Sequence, residues 1–275
     1  MYIEYDAHYF LNSFKYLDEL DLDKTTIQYL EAGTFNAFKN IKKLSLVNNA
    51  LSSLNRFMLD DLVSLKVLNL SSNFFVELSD NLFSPLKNLE ELDLKYNKIV
   101  SIHVNAFEGL ENLKVLNLWK NELEIEANDQ ELSSNGNTKL SATHFKHVSE
   151  LIKLVLRNNK IEKLSANQFD CLNKLADLDL HGNQLSQIEP NAFQNLNNMI
   201  ILNLSVNQLN TLDENLFKNF IYLEDLYLSG NSIEVINARL FDGLARLKRL
   251  HFSSNSLSKL EANTFSNLKC LLELT

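Results

Sequence analysis

Apolar residues recur along the chain in the order L-x-x-L-x-L-x-x-N-x-L-x-x-L, followed by an aromatic residue and one more leucine, with a period of 24 residues. The order is complete at Leu89, Leu92, Leu94, Asn97, Ile99, Ile102, Phe107 and Leu110. Ten copies open at Leu17, Ile41, Leu65, Leu89, Leu113, Leu151, Leu175, Met199, Leu223 and Leu247. The last two leucines of L-x-x-L-x-L alternate as a short strand requires, so they face inward and the residues beside them face outward. One copy is too small to bury its own leucines. Stacked copies close a continuous apolar interior, with parallel strands about 4.8 Å apart. The expected architecture is a curved α/β solenoid, with a parallel β-sheet on the concave side and irregular or short helical segments on the convex side.

Two side-chain rows follow from the period. The polar slot reads Thr25 in the first copy and asparagine in the other nine, from Asn49 to Asn255. A buried amide there offers both donor and acceptor to backbone groups that the corner of each coil leaves unpaired. The aromatic slot reads Phe35, Leu59 and then phenylalanine from Phe83 to Phe265, which predicts a second stacked row beneath the convex side.

The period breaks once internally. Leu113 to Leu151 is 38 residues, so this copy carries 14 extra residues between Leu123 and Leu140. The stretch at about 124–139 is acidic first and turn-forming afterwards, and is expected to protrude as a loop. The whole of 1–275 reads as a single solenoid. Residues 1–16 form the tail of a preceding repeat, with Ile3, Leu11 and Phe14 in its apolar slots. Residues 17–270 hold the ten repeats, and 271–275 begin another that stops early. Stacks of this kind need polar caps, and none is recognisable, so the sequence reads as part of a longer chain. Leu271, Leu272 and Leu274 would then be exposed and favour self-association through the uncapped ends.

Composition supports the repeat. The chain has 55 leucines and 37 asparagines but only 6 glycines and 2 prolines, which excludes collagen-like and linker-rich chains. A formal charge of −9 argues against phosphate-driven binding, so no nucleic-acid partner is expected. No apolar run is long enough to span a membrane, and residues 1–6 lack the basic and apolar regions of a signal peptide. The two cysteines, Cys171 and Cys270, lie four coils apart, roughly 19 Å, beyond disulfide reach. They are expected to be free thiols on the convex side.

Little in the sequence points to catalysis. No phosphate-binding glycine loop, nucleophile elbow or zinc-protease motif occurs. His144-x-x-His147 reads as two solvated histidines rather than a metal site. The carboxylate pairs Glu90-Glu91 and Asp177 with Asp179 fall on open strand positions where no closed pocket would raise a pKa. No enzyme activity, cofactor or metal is therefore expected.

The outward row just past the third leucine reads Val47, Ser71, Lys95, Trp119, Arg157, His181, Ser205, Ser229 and Ser253. Its middle is basic and aromatic where both ends are small. The neighbouring row adds Tyr96 and Lys120 beside Trp119, the only tryptophan. Trp, Tyr and Arg dominate interface hot spots because they bury much area with few rotors. Lys95, Tyr96, Trp119, Lys120, Arg157 and His181 are therefore the candidate partner-binding residues, with Asp93, Asp177, Asp179 and the acidic loop alongside. Two glycosylation sequons, at Asn69 and Asn203, fall on the same concave face.

On these ten in-register copies the sequence resembles the leucine-rich-repeat superfamily over roughly residues 11–274. The 24-residue form with phenylalanine is similar to the "typical" class of Toll-like receptor ectodomains and insect adhesion proteins. The resemblance implies a non-catalytic protein-binding module of an extracellular receptor, adhesion or recognition protein, with a protein ligand or co-receptor as partner. The alternatives are an intracellular (cytoplasmic) scaffold of the same fold, or the substrate-binding arm of an enzyme whose catalytic domain lies outside this sequence.

Overall fold

The computed structural model describes residues 14, 16–125, 137–138 and 140–275. Eleven short strands, from Glu19–Asp21 to Glu273–Leu274, pair side by side in one parallel sheet. The register carries the repeat directly. Leu20 aligns with Leu44, Leu44 with Leu68 and Leu68 with Leu92, and the series continues to Leu250 and Leu274. From Leu44 to Leu250 each central leucine is buried in the interior while its strand neighbours face the concave side, the alternation that a period of two imposes.

Among the described residues the convex side contains no α-helix. It is built of turns, two 3-10 turns at Arg56–Met58 and Ala142–Phe145, and a few two- and three-residue strands such as Lys163–Leu164 and Gln187–Ile188. The irregular option named from sequence therefore prevails. Coils of this length leave room for one turn between their two leucine layers.

The phenylalanine row forms as expected. Phe83 and Phe107 stack at 6.4 Å, Phe169 and Phe193 at 6.2 Å, and Phe241 and Phe265 at 6.0 Å. One ring comes from a different slot. Phe220 stands in a slot that the first copy fills with Phe38 and the others with leucine or valine, and it wedges between Phe193 and Phe217, at 5.8 Å from each. Phe14 meets Phe38 at 5.1 Å, in keeping with its assigned apolar slot. Ile3 and Leu11 lie outside the described residues.

The asparagine row ties neighbouring coils together. Asn97 Nδ2 donates to the carbonyls of Leu70, one coil back, at 3.1 Å and of Leu94, its own, at 2.9 Å, while Oδ1 accepts the Phe75 N–H at 3.2 Å. Each amide thus serves the coil before it. Thr25 stands at the edge of this arrangement. Its hydroxyl lies 3.0 Å from Asn49 Oδ1 and 2.8 Å from the Leu22 carbonyl, so a shorter side chain suffices there.

A feature with no signal in the hydrophobic pattern accompanies every asparagine. The residue just before the polar slot is left-handed in all ten coils, with φ between 53° and 70° from Lys24 to Ser254. The turn aims that residue's N–H at the next coil, as in Tyr96 N–H to the Trp119 carbonyl at 2.9 Å and Lys120 N–H to the Arg157 carbonyl at 2.9 Å. The position takes Gly182, Gly230, Asn48 and Asn158 without difficulty. At Val206, with φ 56°, a β-branched side chain is held in a region that costs L-residues about 1–2 kcal/mol.

The sheet ignores the insertion, pairing Val115–Asn117 directly with Lys153–Val155. Residues 126–136 and 139, most of the expected loop, lie outside the described residues. Its ends are anchored rather than protruding. Leu140 N–H bonds the Glu124 carbonyl at 2.9 Å, and Asn137–Thr138 pairs antiparallel with Ser101–His103, unlike the parallel pairs elsewhere among the described residues. In the final coil Leu272 is 83% exposed and Leu274 half exposed, while Leu271 is partly packed on the core.

Candidate functional site

The concave face is shaped by the residue between the second and third leucines. Where this is Asp or Asn, its Oδ1 accepts the backbone N–H two residues on. The bonds run from Lys95 to Asp93 at 2.9 Å, from Trp119 to Asn117 at 3.1 Å and from His181 to Asp179 at 3.0 Å. These Asx turns set the direction of the following side chain. They direct Lys95, Trp119 and His181, and with Arg157, whose coil has Val155 in that place, these residues form one row over four consecutive coils.

Tyr96 and Lys120 belong to the left-handed row, and the structure brings them beside it. The Tyr96 and Trp119 rings lie 4.8 Å apart at 52°, and the Arg157 guanidinium carbon sits 5.5 Å from the Trp119 ring. A tilted aromatic pair of this kind contributes about 0.5–1.5 kcal/mol beyond its burial. Lys95 turns back onto Asp93 at 3.2 Å. Between Tyr96, Lys120, Glu122, Asn158, Lys160 and Gly182 a shallow groove of about 700 Å³ opens next to this row. Gly182 has φ 66°, and a Cβ there would fall 2.0 Å from Asn158 Oδ1.

Three details were not legible beforehand. Trp119 is half-buried rather than fully open, and its Nε1, like Arg157 Nε, is covered with no hydrogen-bond partner among the described residues. Asp179 is not a freely solvated carboxylate: burial pushes its pKa up, against the His181 N–H and the charge of Arg157. Burial, and then the Arg157 charge, holds His181 below the usual histidine range. Two more of the carboxylates named from sequence, Asp177 and Glu90, are ion-paired. Asp177 meets Lys153 at 2.6 Å, and Glu90 bridges Lys114 at 2.6 Å and Lys66 at 2.8 Å. These two lysines, Lys114 first, lower Glu90 to about 2.

The histidine pair requires a correction. His144 is fully buried, with Nδ1 at 3.0 Å from the Ser141 N–H and Nε2 at 2.9 Å from the Ile102 carbonyl. It fastens the end of the insertion to the preceding coil, so it is a structural ring and not a solvated one. Among the described residues no group of three or more His, Cys, Asp or Glu could hold a metal ion. Cys171 is half-buried and Cys270 exposed, both as free thiols.

The burial of His144 has a pH consequence. Burial lowers its pKa, outweighing the hydrogen bonds to Ile102 and Ser141, while the nearby His103 and Lys146 lower it further. The folded chain therefore binds fewer protons than the unfolded chain, whose histidine titrates at about 6.5. The stability that depends on neutral His144 is full above that value and is lost as pH falls below it, until the folded pKa is passed. Urea unfolding at neutral pH and near pH 5 should show a loss that is smaller in His144→Gln. Equal losses in both proteins would assign the effect elsewhere.

Both sequon asparagines lie on concave strands, with Oδ1 accepting the N–H of the sequon serine at 3.0 Å in each, Ser71 and Ser205. They stand on the coils directly before and after the four that carry the Lys95–His181 row.

A sheet of parallel strands over a leucine interior, with asparagines bridging the coils and a variable outer row, defines a repeat protein whose rigid concave face is free for recognition. Family models agree. A leucine-rich-repeat model matches residues 15–74 and 64–123, and a BspA-type leucine-rich-repeat region matches 138–272. The chain belongs to the leucine-rich-repeat superfamily.

Among solved structures, the TLR13–ssRNA13 complex is similar over 94% of this chain, with a TM-score of 0.80 and 32% identity. The Drosophila Toll–Spätzle complex matches over 96% with a TM-score of 0.84 and 21% identity. The octameric complex of latrophilin 3, Unc5D and the repeats of FLRT2 matches over 90% of this chain and 76% of that one, with a TM-score of 0.72 and 22% identity. The chain spans 35% and 33% of the lengths of the first two. No curated protein matches the sequence. No helix among the described residues is long and apolar enough to cross a membrane.

Proposed function

We propose that the protein is the recognition portion of an extracellular receptor or adhesion protein, and that it binds a protein ligand on its concave face. The contact centres on Lys95, Tyr96, Trp119, Lys120, Arg157 and His181. The observation that carries this reading is Trp119, which the repeat does not need for its core. It is held between Tyr96 and Arg157, with two N–H donors of the cluster left without partners among the described residues. An unpaired, covered donor costs about 1–3 kcal/mol, and a ligand acceptor that draws Arg157 off the ring would recover it. Glycans at Asn69 and Asn203 would border this surface on both sides and leave it open.

Trp119 is the only tryptophan, so its emission reports on the site. Titration with a panel of purified ectodomains should shift that emission for a true ligand. Trp119→Ala and Arg157→Glu, read by surface plasmon resonance, should each weaken that ligand at least about tenfold with thermal stability nearly unchanged. Normal binding by both variants would remove the patch from the interface.

A second reading, single-stranded RNA, is favoured by the aromatic and basic stack and by the 32% identity to a protein seen with such a ligand. A short single-stranded RNA whose binding falls steeply with salt and depends on Trp119 would select it. The paired carboxylates of this face and the charge of −9 favour the protein ligand.

A further inference from the structure

The residue just after each copy's first leucine lies on the flank of the solenoid where the chain enters the strand. Over the first five coils this row reads Asp18, Lys42, Lys66, Glu90 and Lys114. Ion pairs join its neighbours, Lys42 to Asp18 at 2.7 Å and Glu90 to Lys66 and Lys114 at 2.8 and 2.6 Å. The row resumes with Glu224 and Lys248, 2.8 Å apart. In the three coils between, the same row reads Ile152, Ala176 and Ile200. Ile152 is 44% and Ile200 41% exposed, and with Tyr222, 41% exposed, they line an open groove of about 470 Å³. A ladder of paired charges is thus replaced by an apolar stripe whose outer side is left exposed among the described residues.

We propose that this stripe pairs with the same stripe of a second copy of the chain, antiparallel about a two-fold axis between Ala176 and Ile200. The shape suits such a pairing. The axis sets bulky Ile200 of each copy against small Ala176 of the other, and Ile152 against the Tyr222 coil.

The charges suit it as well. At one end Lys174 Nζ rests on Glu150 at 2.6 Å. At the other, the Arg246 guanidinium covers the Tyr222 ring at 4.9 Å, beside Glu224. The two-fold axis brings Glu150 to Arg246 and Lys174 to Glu224, opposite signs in both cases. An interface that is the same patch on both partners needs this kind of self-complementarity. Three rungs span only about 15 Å, so the buried area falls at the low end for specific complexes and the dimer is weak and concentration-dependent. The stripe lies off the concave row, so pairing leaves the Trp119 patch open and its test is independent of ligand binding.

Sedimentation equilibrium of the full chain, over a series reaching high micromolar concentration, tests the proposal. The native protein should show a monomer–dimer equilibrium. Ile200→Glu alters a side chain that is already exposed and should raise the dissociation constant roughly tenfold or more, with an unchanged circular dichroism spectrum. Glu150→Lys should weaken the dimer, and Glu150→Lys combined with Arg246→Glu should restore it. Leu272→Lys, at the exposed last coil, should change nothing. A native protein that stays monomeric throughout, an association indifferent to Ile200→Glu, or one abolished by Leu272→Lys would each overturn the proposal.

Discussion

Replacing Phe169 with alanine should lower the unfolding free energy by about 3–5 kcal/mol, the usual cost of deleting a buried ring and leaving its cavity. Phe169 is 1% exposed and sits mid-row, 6.0 Å from Phe145 and 6.2 Å from Phe193. On the carboxy-terminal side Phe193 is already held by Phe220 at 5.8 Å and is not free to fill the space. The loss should also change how the protein unfolds. In a stack where each coil touches only its neighbours, stability is a sum of coil and interface contributions, so a weak central interface uncouples the two halves. Trp119, one coil before the mutated one, reports the amino-terminal half by fluorescence, while far-ultraviolet circular dichroism reports the whole. In the native protein the two urea transitions should coincide, and in Phe169→Ala they should separate. Coincident transitions at an unchanged midpoint would show that the ring is not packed as described.

Asn159→Leu should cost about 3 kcal/mol or more, although the two side chains are similar in size. Asn159 Nδ2 donates to the carbonyls of Leu118 and Leu156, both at 3.0 Å, and Oδ1 accepts the Leu123 N–H at 3.0 Å, across the insertion. Leucine keeps the volume and removes these bonds together with a longer one from Nδ2 to the Arg157 carbonyl at 3.3 Å. Buried backbone groups left unpaired cost about 1–3 kcal/mol each, and Asn159 is only 6% exposed. Asn255 makes the same bonds to Leu228, Phe252 and Ile233 but is only partly buried, so water can replace its amide. Asn255→Leu should cost about 1 kcal/mol or less. Amide hydrogen exchange at Leu123 should rise sharply in Asn159→Leu. Equal costs at the two positions would show that burial is not what makes the amide row valuable.

The two rows behind these predictions were legible because each repeats at one spacing and each has one physical reason to repeat. Phe220 was not, since it occupies a slot that most coils fill with leucine or valine and only the packing shows it entering the aromatic row. His144 looked like half of a solvated pair because the nearest signal in sequence was His147. Its partners are Ile102, 42 residues earlier, and Ser141. The candidate patch was legible as a row of unusual residue types, and the structure brings Tyr96, Trp119 and Arg157 into contact. What spacing could not show was that Arg157 lies over the Trp119 ring or that burial perturbs Asp179 and His181. Those depend on how side chains of separate coils meet, with Asx turns directing Trp119 and His181 but not Arg157.

The sequence by itself determined the coil, its period, the inward leucines and the amide and aromatic rows, because a repeated hydrophobic pattern admits one way of burying its apolar face. It also determined that the repeat resumes at Leu140 and Phe145 after the insertion. The tertiary structure alone decided that the convex side is, among the described residues, turns without α-helix and that the residue before each asparagine is left-handed. It alone decided that the ends of the insertion are tied down, and that Ile152, Ala176 and Ile200 interrupt a ladder of ion pairs. Each of these rests on what one coil presents to the next, which a pattern read along the chain does not contain.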